Sequence, residues 1–207
     1  MTKKLEVYNK KRNFDKTHEP RGRKEKSSRK LRFVVQHHIA RKDHYDLRLE
    51  WDGVLKSWAV PKGPSYNSKD KRLAVMVEDH PISYRNFEGI IPKGEYGAGT
   101  VMLWDYGTWE VLDGKKPNFK KGIIKFKLYG KRLKGLWTLV LMDEDNWLLI
   151  KDKDEFHLYD NILEFNTSVK TGRTMAEITG EKTTIELTNS DKVIFKNPKV
   201  TKKDIFN

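Results

Sequence analysis

The sequence contains no cysteine, so a disulfide framework and a thiolate metal site are both excluded. No apolar run is long enough to cross a bilayer, and no apolar stretch follows the basic start to form a signal peptide. The absence of cysteine is compatible with a reducing interior. We therefore expect a soluble, cytoplasmic protein that has no membrane partner.

The sequence also has few acidic residues relative to basic ones: 42 Lys and Arg and 29 Asp and Glu give a net charge of +13. A polyanion is the natural partner of such a chain. Residues 1–32 hold 8 Lys and 5 Arg against 4 Asp and Glu, which predicts a basic arm over residues 1–30. Tyr8 and Phe14 suggest that part of this arm docks on the domain and brings Arg12 and Glu19 to a useful place. The alternative is a disordered, solvated arm.

Long amphipathic helices are also missing. Short strands separated by turns are predicted from Leu31 to Asp152, within a domain that we expect over residues 31–165. Two of these strands, 100–105 and 108–112, are expected on either side of a turn at Tyr106-Gly107. The pattern predicts an all-β fold, a closed or nearly closed antiparallel β-barrel of about eight strands with short helices, or else a sandwich. A barrel with a polar inner face would supply a crater for a ligand.

Residues 44–51 carry the most informative alternation. Tyr45, Leu47, Leu49 and Trp51 share one face, and His44, Asp46, Arg48 and Glu50 share the other. His38 closes the preceding strand, so antiparallel pairing would bring it beside His44. Two imidazoles and a carboxylate make a metal site with open positions, and an arginine at its rim suits a phosphate. The Asp52-Gly53 turn fixes the register, which argues against the alternative that these residues are surface decoration.

Residues 79–99 form the longest irregular stretch of the core region, and long ordered loops tend to be functional. Pro81 restrains His80 towards extended geometry, so its imidazole is held in a fixed direction. The glycines at 94, 97 and 99 favour a tight bend over a phosphate cradle, because no helix follows them.

Several stretches together resemble the 3′-phosphoesterase module of bacterial ligase D, a multifunctional enzyme that repairs double-strand breaks by end joining. They are FVVQHHIARKDHYDLRLEWDGVLKSWAVPKGPS, KRLAVMVEDHPISY, FEGIIPKGEYGAGTVMLWDYGTWE, KLYGKRLKGLW, WLLIKDKD and TGRTMAEI, and the resemblance runs from about Tyr8 to Ile178.

The resemblance implies a β-barrel with a manganese-dependent phosphoesterase that removes 3′-terminal ribonucleosides and then 3′-phosphates, leaving a 3′-hydroxyl. It implies primer-template DNA with 3′-ribonucleotide or 3′-phosphate ends as the substrate, a nucleoid location, and Ku, polymerase and ligase modules as partners. Matched motif to motif, the metal ligands fall on His38, His44 and Asp46. The phosphate contacts fall on Arg48, His80 and Tyr84, with Arg72 as a further basic contributor.

The essential N-terminal arginine and glutamate of the family fall on Arg12 and Glu19, which favours a docked arm. One position departs: Asn13 stands where the family commonly has aspartate, so whatever that carboxylate does is in doubt. The donor set favours Mn²⁺, Co²⁺ or Zn²⁺ over Mg²⁺. His80 is the candidate general acid, with attack by an activated water preferred to a phosphohistidine intermediate.

Two rival functions fit the sequence less well. A noncatalytic nucleic-acid-binding barrel fits the charge and the aromatics but leaves the aligned His44, Asp46 and Arg48 unexplained. A DNA ligase needs Lys-x-Asp-Gly, and the nearest match, residues 50–53, has glutamate in place of the lysine.

Residues 166–207 are predicted as a polar linker with a short helix near 174–178, followed by a second apolar segment around Val193–Phe195. We expect this segment to open a polymerase-like module, so that the chain is truncated and its tail loosely packed. The alternative is a strand that folds back onto the barrel edge.

Overall fold

The computed structural model describes residues 5–114, 116–120, 122–157 and 161–180. Nine strands run along these residues: β1 (Arg32–Ile39), β2 (Asp43–Trp51), β3 (Val54–Val60), β4 (Lys71–His80), β5 (Gly89–Ile91), β6 (Gly99–Val111), β7 (Ile123–Gly130), β8 (Lys134–Asp143) and β9 (Asn146–Lys151). Two short helices, α1 (Glu6–Lys10) and α2 (Met175–Thr179), and 3₁₀ turns at Ile82–Asn86, Leu112–Gly114 and Ile162–Glu164 complete the elements.

Eight of the strands close into an antiparallel barrel. Their order is β1-β2-β3-β4-β9-β8-β7-β6, and β6 pairs back with β1. This confirms the predicted barrel over the sandwich. The predicted turn at Tyr106-Gly107 is wrong, because β6 is one strand whose first part pairs with β1 and whose end pairs with β7. A register shift in β1 between Val35 and Gln36 lets the long strand follow the barrel around.

The barrel interior is filled with large apolar side chains. The core includes Trp58, Trp104, Trp137 and Trp147, all at most 1% exposed, together with Tyr45, Leu47 and Leu49 from β2. The expected polar crater inside the barrel is therefore wrong. The alternation of β2 is as predicted, but its apolar face points inwards and its His-Asp-Arg face lies on the outer wall, since the interior has no room left for a ligand.

A second layer covers part of that outer wall. Leu5 and Tyr8 of the N-terminal arm pack with Leu55, Tyr84 and other buried residues in a separate apolar cluster outside the barrel. Tyr8 donates its hydroxyl hydrogen to Pro20 O (2.7 Å), so the arm closes on itself. Farther along, Ser28 N donates to the buried Glu50 carboxylate. The arm is thus docked from residue 5 onwards, and the solvated-arm alternative is wrong for the described part.

The described residues after 165 also pack on the barrel. Val169 N donates to Leu103 O (2.9 Å), and Ile178 of α2 joins the main core. Thr174 and Glu177 form a capping box at the start of α2, which confirms the helix expected near 174–178. Residues 166–180 are therefore not the loose linker that we expected, whereas Val193–Phe195 lie outside the described residues. Among the described residues, no helix is both long and apolar enough to cross a membrane.

Candidate metal and phosphate site

A cavity of about 540 Å³ lies between the outer wall of the barrel and its covering layer. Its walls are Arg12, His38, Ala40, Arg41, His44, Asp46, Arg48, Ala59, Val77, Glu78, His80, Tyr84, Ile91, Tyr96 and Gly97. Seven of the nine residues singled out from the sequence are in this set, and Glu19 and Arg72 are not. The strand pairing explains the assembly, because His38 of β1 is directly opposite His44 of β2.

His38, His44 and Asp46 converge as expected for a metal site. One ligand atom from each lies within 4.8 Å of the others. His38 Nδ1 is 3.7 Å from Asp46 Oδ2, and His44 Nε2 is 3.7 Å from Asp46 Oδ1. The two rings are tilted, with centroids 4.8 Å apart.

Backbone carbonyls fix the tautomers of both histidines. The other ring nitrogen of His38, Nε2, donates to Gly97 O (2.9 Å), and His44 Nδ1 donates to Lys42 O (2.9 Å). A carbonyl only accepts, so each of these nitrogens carries the proton and the nitrogen facing Asp46 keeps its lone pair. Such an outer hydrogen bond is typical of metal-ligating histidine. The donor set therefore fits a divalent metal of the Mn²⁺, Co²⁺ or Zn²⁺ type.

Arg48 is held rigidly beside the histidine-carboxylate group. Its Nη2 donates to Asp46 Oδ2 (2.9 Å) and its Nε donates to Gln36 Oε1 (2.8 Å). Burial raises the pKa of Asp46, but the charge of Arg48 and the interactions with His38 and His44 together outweigh burial, and the net pKa lies well below the ordinary value. The third guanidinium nitrogen, Nη1, is buried without a partner. A buried unpaired donor is costly, so Arg48 is prepared for an anion that enters the cavity.

His80 is neutral in the free protein. Burial and the charges of Arg48 and Arg12 lower its pKa well below the ordinary histidine value. Its Nδ1 donates to Glu78 O (2.9 Å), while Nε2 accepts from Arg12 Nη2 (3.1 Å). The imidazole is therefore fixed in direction, as the sequence predicts, and its second nitrogen is occupied by an arginine.

Arg12 joins the arm to the site through a buried network. Its Nε donates to Glu19 Oε1 (2.9 Å) and its Nη1 to Glu78 Oε1 (3.1 Å). The hydroxyl of Tyr84 donates to the same Glu19 oxygen (3.0 Å). Glu19 thus lies behind the cavity and positions Arg12 and Tyr84. Burial and the charge of Glu19 raise the pKa of Tyr84 well above its ordinary value, so the phenol stays protonated.

Arg72, and Asn13 at the position that departs from the family, also lie outside the cavity. Arg72, six residues before Glu78 on β4, pairs with Asp70 (2.8 Å) and lines a different surface cavity. Asn13 accepts a hydrogen bond from Asp15 N (3.2 Å) in a local turn of the arm and is not among the lining residues.

Sequence reasoning missed Gln36 and Glu78, although strand alternation would have found both. Gln36 is two residues before His38 and Glu78 is two residues before His80, so each shares the face of a selected histidine. Gln36 is fully buried and also donates to Tyr84 O and Phe87 O. The glycines at 94, 97 and 99 all have positive φ, in line with the backbone explanation preferred from the sequence.

Comparison with known proteins gives one family. A family model described as the DNA Ligase D 3′-phosphoesterase domain matches residues 36–141. The multifunctional non-homologous end joining protein LigD of Pseudomonas aeruginosa is 46% identical over 193 residues, 88% of this chain and 23% of that protein. The protein of the same name from Mycolicibacterium smegmatis is 44% identical over 161 residues, 73% of this chain and 21% of that protein.

The multifunctional non-homologous end joining DNA repair protein LigD of Mycobacterium tuberculosis is 46% identical over 123 residues, 59% of this chain and 16% of that protein. The chain thus spans less than a quarter of the length of these curated relatives.

Proposed function

The chain belongs to the DNA Ligase D 3′-phosphoesterase domain family, and on that premise we propose that it is a metal-dependent hydrolase of phosphate esters at DNA 3′ ends. The observation that carries the proposal is the convergence of three ligand atoms beside an unpaired, buried guanidinium nitrogen. The substrate is a primer-template end from which a terminal ribonucleoside and then the 3′-phosphate are removed to leave a 3′-hydroxyl. The natural setting is end joining, alongside Ku, polymerase and ligase modules.

In this proposal His38 Nδ1, His44 Nε2 and an Asp46 oxygen hold a divalent metal, with Mn²⁺ as the first candidate. A metal in that position supplies Lewis acidity towards a phosphoryl oxygen and lowers the pKa of a coordinated water. The carbonyls of Gly97 and Lys42 keep the two imidazoles turned towards the metal position, so little reorganisation is needed when it binds.

Arg48 orients the phosphate. Its Nη1 hydrogens are buried donors without a partner, and the bonds to Asp46 and Gln36 keep the guanidinium from turning away. Negative charge that builds on the phosphoryl oxygens in the transition state is then met by a preorganised cation in a buried site. Tyr84 lines the phosphate position, but it gives its single hydrogen to Glu19, so it contributes shape and an acceptor oxygen rather than a donor.

His80 acts as the general acid only after substrate binds. Burial and the cations Arg48 and Arg12 keep it neutral in the free protein, and the negative charge of a bound phosphate ester offsets these cations and raises the pKa of His80. The proton goes to Nε2 as Arg12 turns from the imidazole to the phosphate, and it is the proton that the leaving oxygen requires. An imidazole that carries protons on both nitrogens has no lone pair with which to attack phosphorus, so direct attack by water is preferred to a phosphohistidine.

Product analysis tests the proposal against the noncatalytic alternative. A 5′-labelled primer-template with one 3′-terminal ribonucleotide is incubated with and without Mn²⁺. We expect metal-dependent appearance of a 3′-phosphate strand followed by a 3′-hydroxyl strand. Tight binding without any shortened strand, across Mn²⁺, Co²⁺ and Zn²⁺, would favour a noncatalytic nucleic-acid-binding barrel.

A further inference from the structure

The mouth of the cavity carries an aromatic ring that the metal and phosphate chemistry does not use. Tyr96 is 46% exposed, and it is one of three tyrosines with large exposure in the described part of the chain. The other two, Tyr106 and Tyr129, lie on β6 and β7 and do not line this cavity. Tyr84, the other lining tyrosine, is buried.

Side chains of the arm hold the Tyr96 ring in place. Lys11 Nζ donates to the Tyr96 hydroxyl (3.1 Å) and lies 4.5 Å from the ring centroid. The same ammonium donates to Glu78 (3.0 Å), which also accepts from Arg12 (3.1 Å). A continuous network therefore links the exposed ring to Arg12 and, through it, to His80.

The backbone of the loop fixes the ring relative to the candidate metal ligands. Glu95 N donates to Pro92 O (3.1 Å) and Ala98 N donates to Glu95 O (3.1 Å), so two successive turns meet at Glu95 and Tyr96 lies within the second. The next residue, Gly97, supplies the carbonyl that orients His38 and adopts a positive φ of 76°. The ring is therefore one residue from an anchor of the metal site, which makes it a preorganised surface.

We infer that Tyr96 is a nucleobase subsite that stacks on the base of the terminal ribonucleoside, the part of the substrate that leaves. This inference rests on the proposed function. With the phosphate held by Arg48, the sugar and base beyond it extend towards the mouth. Bases inside a duplex are covered on both faces, so only the terminal base offers a free face. Exposed aromatic rings beside cationic side chains are the usual stacking surfaces for bases.

Arg41 supports the same orientation of the strand. It lines the mouth from the β1–β2 loop, is exposed, and has no ion pair among the described residues. A free guanidinium there is suited to the backbone phosphates of the strand body, which leaves the side of Tyr96 to the terminal base.

Three substrates and three variants test the subsite. The substrates are a primer-template ending in a normal ribonucleotide, one ending in an abasic ribonucleotide, and one ending in a 3′-phosphate. The variants are Tyr96→Ala, Tyr96→Phe and, as a matched exposed tyrosine outside the cavity, Tyr106→Ala. We expect Tyr96→Ala to lower kcat/KM for the normal ribonucleotide by about 5- to 150-fold, the range of one lost base–aromatic stack. Tyr96→Phe keeps the ring and should keep most of the activity.

The Tyr96→Ala loss should vanish on the abasic ribonucleotide and on the 3′-phosphate, which have no terminal base beyond the ester. An equal loss on either substrate would mean that the residue only supports the loop, and would overturn the inference. If the native chain turns over nothing, the proposed function fails, and the subsite is judged by fluorescence anisotropy in chelator. A base-dependent affinity that disappears in Tyr96→Ala then supports it, and equal affinity for normal and abasic ends overturns it.

Discussion

The buried carboxylate of Glu19 gives the sharpest test of how the arm is attached. It accepts hydrogen bonds from Arg12 Nε (2.9 Å), Tyr84 (3.0 Å) and Thr17 (3.0 Å). Glu19→Gln keeps the shape but removes the charge. Loss of one partner of a buried ion pair costs roughly 3–5 kcal/mol. Because Glu78 remains as a second carboxylate for Arg12, we expect a cost at or below the bottom of this range, about 2–3 kcal/mol.

This cost should appear as undocking of the arm rather than unfolding of the barrel, since the arm packs in its own apolar cluster. An undocking equilibrium shifted by about 2–3 kcal/mol is a change of roughly 30- to 150-fold. Trypsin reports it directly, because the Arg12 side chain is only 4% exposed and cleavage after it requires opening. Mass spectrometry of the released N-terminal fragment gives the rate.

A matched control lies in the same arm. Asp15 forms an exposed pair with Arg21 (3.7 Å), and exposed pairs contribute little, so Asp15→Asn should leave the cleavage rate unchanged. Equal cleavage rates after Arg12 in Glu19→Gln and Asp15→Asn would refute the buried-anchor reasoning.

Three further predictions follow from neighbouring residues. Mn²⁺ at 100 times its dissociation constant should stabilise the native chain by about 2.7 kcal/mol in thermal unfolding. His38→Gln should remove this stabilisation by Mn²⁺, whereas His37→Gln, on the other face of β1, should not. The pKa of His80 is lower in the folded than in the unfolded chain, so the unfolded chain binds the extra proton. In the presence of chelator, the free energy of unfolding should therefore fall as pH decreases below about 6.5. His80→Gln should flatten this dependence, and identical pH profiles for the native chain and the variant would contradict the lowered pKa. Asn13→Asp should preserve stability, since a carboxylate oxygen accepts the same hydrogen bond from Asp15 N. If the family's aspartate serves monoester hydrolysis, the native chain stalls at the 3′-phosphate strand and Asn13→Asp relieves the stall. Equal rates of both steps in the native chain would show that the charge is dispensable.

Local patterns predicted most of the strands and the faces of β2 correctly because alternation and turn chemistry are short-range, although they divided β6 into two strands. The Asp52-Gly53 turn, with φ of 48° and 79°, sets the register of β2 against β3. The short loop between β1 and β2 brings His38 opposite His44. The alternation of β2 alone does not predict whether its polar face points into the barrel or lies on the outer wall. That orientation depends on the tryptophans of β3, β6, β8 and β9 filling the interior, which is a property of the closed sheet.

The rest of the site depends on contacts distant in sequence. Glu19 reaches Tyr84 across 65 residues, and Arg12 reaches His80 across 68. Sequence periodicity does not predict such long-range contacts. The resemblance to a known family pointed to Arg12 and Glu19, and it also pointed to Arg72, which lies away from the cavity. Gln36 and Glu78 were within reach of the alternation rule, but uncharged amides and carboxylates on a strand are too common to stand out.

The central claim is that His38, His44 and Asp46 hold the metal that makes this chain a phosphoesterase. The most direct measurement is anomalous diffraction from crystals grown with Mn²⁺, collected at the manganese absorption edge. We expect one strong peak at about 2.0–2.3 Å from His38 Nδ1, His44 Nε2 and an Asp46 oxygen. A peak elsewhere on the chain, with these three side chains unliganded at saturating Mn²⁺, would contradict it.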